Sequence, residues 1–209
     1  MISLKLTKLN ISKKLLRKTE DIKMNETLNN IRNRRSTRAF LPDQINGAHV
    51  TEIIDAGIYA PSATNKQPWH FTVVQRKDII DRLSEAFKKI AAKSDNEYIR
   101  RFADNEKFHV FYNAPTVVLV SGDKSNQSAP VDCAAAVENM LIAAESLEIG
   151  SCWIGLIAYL LNSEEGVEFV KELEIPEGFR QIHAFCLGYK KIEITNAPAR
   201  KENTVNYIK

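Results

Sequence analysis

The spacing of apolar residues predicts alternating helices and strands from residue 25 onward. The clearest helical repeat lies in residues 78–92, where Ile79, Leu83, Phe87 and Ile90 recur at intervals of three or four. Such a repeat places the apolar side chains on one face of a helix. Weaker versions of the pattern predict further helices over residues 27–34, 48–60, 95–107, 129–149 and 162–173.

The segment 129–149 differs from the other predicted helices, because its apolar residues cover most of the helical circumference. A helix that is apolar all round is typically buried. Several of its residues are alanines, including Ala134, Ala135 and Ala136, and small side chains let another helix approach closely. We therefore expect this helix to form the core and to lie at the seam between two copies of the chain.

Four short runs rich in Val, Ile and Phe predict strands over residues 70–75, 115–121, 150–156 and 181–188. Helices and strands interleave, the spacing of the strands is irregular, and no segment repeats. At 209 residues the chain suits one sizeable domain better than two small ones. The pattern therefore predicts a single α+β domain with helices packed around a central sheet.

The N-terminal segment differs from the rest of the chain in charge. Residues 1–24 carry seven basic and two acidic side chains, a net charge of +5, whereas the remainder carries 22 basic and 24 acidic side chains, a net charge of −2. The body of the protein therefore has no basic excess of the kind that binds nucleic acid. We predict a domain over residues 24–209. The preceding arm, residues 1–23, is flexible or a misassigned start, docks as a helix on a dimer, or serves in targeting.

The cysteines and histidines favour neither a disulfide framework nor a metal site. Cys133, Cys152 and Cys186 are scattered in apolar surroundings without a C-x-x-C pair, so we expect them to be buried. The four histidines show no i, i+4 pairing that would favour a metal site. No apolar run approaches the roughly 18 residues that span a bilayer. We therefore expect a soluble, cytoplasmic protein without a bound metal.

Four short segments carry residues suited to binding a ligand. The first, residues 34–40 with the sequence Arg-Arg-Ser-Thr-Arg-Ala-Phe, clusters three guanidinium groups around a hydroxyl. Arginine presents a fork of donors that matches phosphate oxygens, so this cluster favours a phosphate site. Taken alone, arginines at the end of a helix are more often a solvated face.

The other three segments offer neutral hydrogen-bonding groups, a backbone that a ligand can approach, and an arginine near the C-terminus. Residues 60–71 form a proline-bounded loop of Ser, Thr, Asn and Gln that can face the edge of a heterocycle. Residues 150–155, Gly-Ser-Cys-Trp-Ile-Gly, are a glycine-bounded apolar strand whose backbone can approach a flat ligand. Residues 197–200, Ala-Pro-Ala-Arg, place an arginine in a rigid loop. Each segment is weak evidence by itself.

In their order along the chain, these segments resemble the nitroreductase family. The match consists of R-R-S-x-R-x-F, then P-S-x-x-N-x-Q-P-W-x-F, then G-S-C-W-I-G and a C-terminal P-x-R. It runs from about Leu28 to the C-terminus, and it includes Asp132 and the run Tyr112-Asn113-Ala114-Pro115. The G-x-G-x-x-G fingerprint of a Rossmann dinucleotide site is absent from the sequence.

The resemblance implies an FMN site shared between two chains. Arg34 and Ser36 would bind the phosphate and ribityl chain, and Arg38 would face the pyrimidine edge of the flavin. Arg35 would lie beside the phosphate, and Arg200 would close on it. From the second subunit would come Pro61, Ser62, Ala63 and Asn65, with Gln67 supporting their loop. The reactive side of the flavin would be lined by Ile154, Gly155 and Leu156.

The fold implied by the resemblance is a nitroreductase-like, mainly antiparallel sheet flanked by helices. It forms an intertwined homodimer, in which residues 205–208 reach over the partner. Many members carry a lysine at the position of Pro198, so here the phosphate site would depend more on Arg34 and Arg200.

The implied activity is transfer of hydride from NAD(P)H to nitroaromatic, quinone or related electron-poor small molecules by a ping-pong mechanism. FMN carries the chemistry, and no catalytic side chain is named. Two alternatives stay open. One is another reaction on the same fold, such as reductive dehalogenation, enoate reduction or flavin-consuming chemistry. The other is a flavin-binding module without turnover.

Overall fold

The structure is a computed structural model that describes residues 25–209. The predicted arm, residues 1–23, lies outside the described residues. The chain consists of two compact units, which are divided between Arg32 and Asn33. The unit from Asn33 to Lys209 contains the sheet. At the division lies helix α1 (Glu26–Asn33), where the side chain of Asn25 accepts a hydrogen bond from Leu28 N at 2.9 Å. An asparagine at this position caps the start of the helix.

The sheet consists of four strands, β1 (Trp69–Val74), β2 (Thr116–Asp123), β3 (Ile149–Ile154) and β4 (Phe179–Tyr189). They form one antiparallel sheet in the order β1-β2-β4-β3. Each strand begins and ends within two residues of its prediction from the sequence. The predicted α+β class and the antiparallel sheet are therefore confirmed.

Helices cover both faces of the sheet, because successive side chains of a strand point to opposite sides. In β2, Val117 and Leu119 enter one core, and Val118 and Val120 enter the other. The helices are α2 (Gly47–Ile58), α3 (Lys77–Ala92), α4 (Glu97–Arg100), α5 (Ala129–Ser146), α6 (Ile157–Leu161) and α7 (Val167–Glu172). The first core is closed mainly by α3, α4, α6 and α7, and the second by α2 and α5.

Helix α5 is the central helix of the second core. Ala136, Val137 and Met140 are fully buried, which confirms the buried helix predicted from its apolar circumference. It packs on α2 so closely that a Cβ added to Gly57 would lie 2.8 Å from Met140 Sδ. The place of α5 at a seam between two copies stays a prediction. No helix within residues 25–209 is long and apolar enough to cross a membrane.

Two helix predictions were wrong in extent. Instead of a helix over residues 95–107, the chain forms the four-residue α4 followed by turns. Asn105 Oδ1 accepts from Lys107 N at 3.0 Å, a local bond that competes with the helix. The helix predicted over residues 162–173 does not begin at Asn162, whose side chain exchanges hydrogen bonds with the backbone of Gln181, at 2.9 and 3.1 Å. A 3-10 turn (Glu164–Gly166) therefore precedes α7, and the short α6 was not predicted.

Gly166 provides a test of packing in this region. Its φ is −84°, which any residue adopts, but an added Cβ would lie 2.1 Å from the Leu160 carbonyl oxygen. We expect Gly166→Ala to lower the free energy of unfolding by about 1–3 kcal/mol through overpacking. Gly47→Ala is the matched control, since a Cβ there meets no atom within 4 Å. It should stabilise the protein by up to about 1 kcal/mol.

Urea unfolding of the full-length protein measures both changes. Equal unfolding midpoints for Gly166→Ala and the unaltered protein would show that the contact with Leu160 relaxes without cost.

Candidate active site

The arginine-rich segment is fixed along β3, the strand at the edge of the sheet. Ser36 forms a parallel bridge with Ser151, and Thr37 N donates to the carbonyl oxygen of Ser151 at 2.9 Å. Farther along, Leu41 N donates to the carbonyl oxygen of Tyr189 at 2.9 Å. Residues 36–41 therefore extend the sheet beyond β3, and they hold the arginines in a defined register with that strand.

A close approach at Gly150 permits this pairing. Thr37 is 3% exposed, and a Cβ added to Gly150 would lie 2.9 Å from Thr37 Oγ1. A larger residue at this position of β3 would push the segment outward. The glycine that begins the Gly-Ser-Cys-Trp-Ile-Gly motif therefore serves the packing of the protein chain itself.

Arg38 is oriented by an aromatic neighbour. Its Nε donates to the hydroxyl of Tyr112 at 3.3 Å, and its guanidinium carbon lies 5.8 Å from the centre of the Tyr112 ring. This hydrogen bond to Tyr112 raises the pKa of Arg38 above its ordinary value. Within residues 33–209, neither Arg34 nor Arg38 forms an ion pair with a carboxylate. Their charges are therefore available to an anionic ligand.

The same segment makes the potential positive at β3. Cys152 is 2% exposed, and burial alone would raise the pKa of its thiol. Its pKa is instead lowered, first by a hydrogen bond from Cys186 and then by Arg38, Ser36 and Arg34. A thiolate is favoured here because cations and donors surround it. The arrangement favours negative charge, as a phosphate site requires.

Open space follows β3. Gly155 comes directly after the strand and is exposed, and a Cβ added there would meet no atom within 4 Å. The neighbours differ: Ile154 is 4% exposed and faces the core, and Leu156 is half-buried. The backbone at Gly155 is therefore the part of this segment that a flat ligand can approach.

The loop of residues 61–67 is held in an unusual conformation. Thr64, Asn65 and Gln67 have φ of 51°, 56° and 47°, in the left-handed region. Gln67 N donates to Ser62 Oγ and Gln67 Nε2 to Asn65 Oδ1, each at 3.0 Å. These local bonds stabilise a backbone that asparagine tolerates at modest cost but that is strained for the β-branched Thr64.

One buried carboxylate ties that loop to α5. Ala63 N donates to both carboxylate oxygens of Asp132, each at 3.2 Å, and Asp132 is 6% exposed. Asp132 lies in the first turn of α5, where negative charge is favourable. The loop is therefore positioned by the central helix, while most of its residues stay exposed.

Comparisons with known proteins agree with this geometry. A sequence model described as the Nitroreductase family matches residues 31–189. The chain belongs to the nitroreductase family. A protein of Archaeoglobus fulgidus with the provisional name NADH dehydrogenase/NAD(P)H nitroreductase is 35% identical over 81% of this chain and 88% of its own length.

Two solved structures extend the comparison to three dimensions. A nitroreductase of Bacteroides fragilis with bound FMN is 35% identical, with a TM-score of 0.84 over 88% of this chain and 100% of its own. A nitroreductase of Desulfitobacterium hafniense with bound FMN is 27% identical, with a TM-score of 0.82 over 89% of this chain and 100% of its own. The nitroreductase fold expected from the motifs is therefore confirmed.

In this nitroreductase-family chain, the residues singled out from the sequence form two separate groups. Arg34, Ser36 and Arg38 meet β3, which ends beside Gly155. Within residues 33–209, no hydrogen bond, ion pair or ring contact joins the 61–67 loop to those three residues. Arg35 Nη1 donates to the Arg34 carbonyl oxygen at 2.8 Å, next to the first group.

The late arginine belongs to neither group. Arg200 is exposed, its Nη1 lies 3.5 Å from the carbonyl oxygen of Pro198, and it makes no hydrogen bond with Arg34 or Ser36 among the described residues. Its approach to a phosphate stays a prediction.

Three residues that organise the site were not assigned a role from the sequence. Tyr112 orients Arg38, Asp132 holds the loop, and Thr37 anchors the arginine segment. Tyr112 and Asp132 are both part of the family resemblance, which was the available signal for them. Thr37 is the unspecified position of R-R-S-x-R, and nothing in the motif distinguishes it.

The contact between Asp132 and the loop can be tested by amide exchange. Asp132→Ala leaves Ala63 N–H without its charged acceptor, a bond worth roughly 1.5–3 kcal/mol, so exchange at Ala63 should accelerate about ten- to a hundred-fold. Asp132→Asn keeps an acceptor oxygen and should change the rate less. Asp123→Ala removes a carboxylate bonded only to the nearby Ser125 and should leave Ala63 unchanged. Equal rates at Ala63 in all variants would refute the contact.

Proposed function

We propose that this chain binds FMN and transfers hydride from NAD(P)H to small electron-poor acceptors, such as nitroaromatics and quinones. The observation that carries the proposal is the alignment of Arg34, Ser36 and Arg38 along β3, up to the open backbone at Gly155. The family membership supports the same conclusion, because relatives with this fold are crystallised with FMN.

The residues present fit the phosphate half of such a cofactor. Arg34 and Ser36 would hold the phosphate and the ribityl chain, with Arg35 beside them and Arg200 closing from the C-terminal segment. The lowered pKa of Cys152 supports this fit in part: its largest cause is the hydrogen bond with Cys186, and the charges of Arg38 and Arg34 lower it further. The guanidinium groups of Arg34 and Arg38, which form no ion pair with a carboxylate within residues 33–209, are a favourable place for a phosphate.

The residues also fit the ring half. A flat ring would lie along Ile154, Gly155 and Leu156, where the missing side chain of Gly155 leaves room. Arg38 would face the pyrimidine edge of the ring, held there by Tyr112. A fixed cation favours negative charge at the edge that it faces. Arg38 would therefore make the bound cofactor easier to reduce.

FMN when bound supplies hydride transfer, which no protein side chain performs. The protein's own contribution is to bind, orient and polarise, through Arg34, Ser36 and Arg38. No side chain of the described site is required to move a proton, and we assign none as catalytic.

The proposed site is completed by a second copy of the chain in a homodimer. The 61–67 loop is exposed, makes no hydrogen bond, ion pair or ring contact with Arg34, Ser36 or Arg38 of its own chain within residues 33–209, and carries polar groups suited to a heterocycle edge. Large apolar side chains exposed elsewhere support a second surface: Tyr59 is 80% exposed, Val131 72% and Ile208 99%. In a dimer, Pro61, Ser62, Ala63 and Asn65 would reach the partner's cofactor, and Gln67 would brace their loop.

A single open face at Gly155 predicts the order of binding. Two flat molecules cannot occupy one stacking position at the same time, so nicotinamide leaves before the acceptor enters. Such alternation produces ping-pong kinetics.

The test of this function uses the purified full-length protein. On denaturation it should release FMN, close to one per chain, and no FAD, because the sequence lacks the G-x-G-x-x-G fingerprint of a dinucleotide site. With NAD(P)H and a simple quinone both varied, double-reciprocal plots of the steady-state rate should give parallel lines. High concentrations of either substrate should inhibit competitively against the other.

The outcomes separate the parts of the proposal. FAD, or no flavin after reconstitution with FMN, would refute the cofactor. Bound FMN without oxidation of NAD(P)H would favour a module without turnover. Intersecting lines from an FMN-loaded enzyme would refute only the shared face at Gly155.

A further inference from the structure

His109 stands at the start of the turn that leads into β2, with its side chain packed against α3. The side chain is 12% exposed. On the side of α3, Nε2 lies 3.5 Å from Oδ1 of Asp81. On the opposite side, the ring meets Phe111, with ring centres 6.1 Å apart. The two nitrogens of the imidazole therefore face different parts of the protein.

The other nitrogen, Nδ1, accepts two backbone hydrogen bonds. The N–H groups of Phe111 and Asn113 both donate to it, each at 3.2 Å. A backbone N–H can only donate, so Nδ1 carries no proton. The proton of the neutral ring is therefore on Nε2, which faces Asp81.

The turn that follows His109 needs this support. Tyr112 and Asn113 both have a φ of 55°, in the left-handed region, which is costly for a residue as large as tyrosine. Within the turn, Tyr112 N donates to the carbonyl oxygen of His109 at 2.9 Å and Ala114 N to that of Phe111 at 3.0 Å. Val110 N donates to the buried Ser84 Oγ at 3.0 Å.

With the two bonds to the imidazole, every N–H from residue 110 to residue 114 has a partner. Loss of the acceptor at Nδ1 would leave two of these five donors without a protein partner, one at the buried Phe111 and the other at the exposed Asn113.

The same turn determines where Arg38 lies. Tyr112 sits at its centre, and the Tyr112 hydroxyl accepts the hydrogen bond from Arg38 Nε at 3.3 Å. The guanidinium lies beside the same ring, at 5.8 Å from its centre. The imidazole of His109 therefore binds the residues on either side of Tyr112, the His109 carbonyl binds Tyr112 N, and the Tyr112 hydroxyl binds Arg38.

We propose that His109 is a positioning residue for the cofactor site: its neutral imidazole holds the turn of residues 109–113 and, through Tyr112, fixes the guanidinium of Arg38. The inference rests on the proposed function for the identity of the ligand that Arg38 faces. His109 touches neither Arg38 nor the open space at Gly155 through any described contact, so its role is indirect. Protonation of Nδ1 would replace the acceptor by a donor that opposes two N–H groups.

Acid should therefore loosen the turn. Desolvation lowers the pKa of His109. The carboxylates of Asp81 and Glu85 oppose this shift, and the charge of Lys77 adds to it; all three groups lie on α3. A histidine with a lowered folded-state pKa contributes stability that is present at high pH and lost as the pH falls through that pKa. With an unfolded pKa of about 6.5, the loss begins below about pH 6.5.

Two substitutions of His109 separate its roles in the full-length protein. His109→Phe fills the same space without an acceptor. His109→Asn places a carbonyl oxygen near the position of Nδ1, and it does not titrate. We expect the Phe variant to bind FMN about ten-fold more weakly, the effect of losing about one such interaction. Amide exchange at Phe111 and Asn113 should accelerate in its flavin-free form. In the unaltered protein, loosening of the turn should weaken FMN binding at acid pH. The Asn variant should retain FMN affinity and slow exchange at Phe111 and Asn113, and its FMN binding should not weaken in this way at acid pH.

Tyr112→Phe is the matched control for the contact between Tyr112 and Arg38. It removes the hydroxyl that Arg38 binds and keeps the turn, so FMN affinity should fall while exchange at Phe111 stays slow. Unchanged exchange and unchanged FMN affinity in His109→Phe would overturn the proposal. If that variant does not fold, nitrogen chemical shifts of His109 in the unaltered protein decide: a protonated Nδ1 at neutral pH overturns it.

The exchange rates and the nitrogen chemical shifts are independent of the proposed function, whereas the FMN affinities are not. A protein that binds no FMN in any form would refute the function, and the exchange rates of the flavin-free protein would still test the turn.

Discussion

The pairing of residues 36–41 with β3 and the end of β4 is the constraint on which the site depends. An edge strand exposes unpaired N–H and C=O groups, and here the hydrogen bond from Thr37 N to the Ser151 carbonyl oxygen covers that edge. The same bond brings Arg34 and Arg38 to the buried thiol of Cys152. A shift of one residue in this register would turn the guanidinium groups away from the strand. Structural protection of the sheet and assembly of the site therefore come from one interaction.

Arg38 keeps its charge available because its partner is neutral. Arg38 is oriented by the hydroxyl and ring of Tyr112, and not by a carboxylate. A carboxylate partner would have fixed the guanidinium equally well and cancelled much of its field. The carboxylate that the site does use, Asp132, binds the backbone of the 61–67 loop. Charge and geometry are thus supplied by different residues.

The fold and the motif positions could be predicted from the sequence, since periodicity defines strands and buried helices directly. Helix ends were less predictable, because Asn162 and Asn105 bind backbone groups that periodicity does not reveal. The supporting residues were the hardest to predict. The role of His109 depends on two backbone donors in a left-handed turn, and no residue pattern specifies such a turn at Tyr112.

The central claim is that one site needs two chains, and a mixed dimer tests it most directly. One chain carries Arg34→Ala, and the other carries Asn65→Gly, which keeps the positive φ of that position. If the 61–67 loop serves the partner's arginines, the mixed dimer holds one unaltered site, and it should bind one FMN per dimer with the affinity of the unaltered protein. Each homodimer should bind more weakly at both sites. A mixed dimer without any site of unaltered affinity would contradict the account.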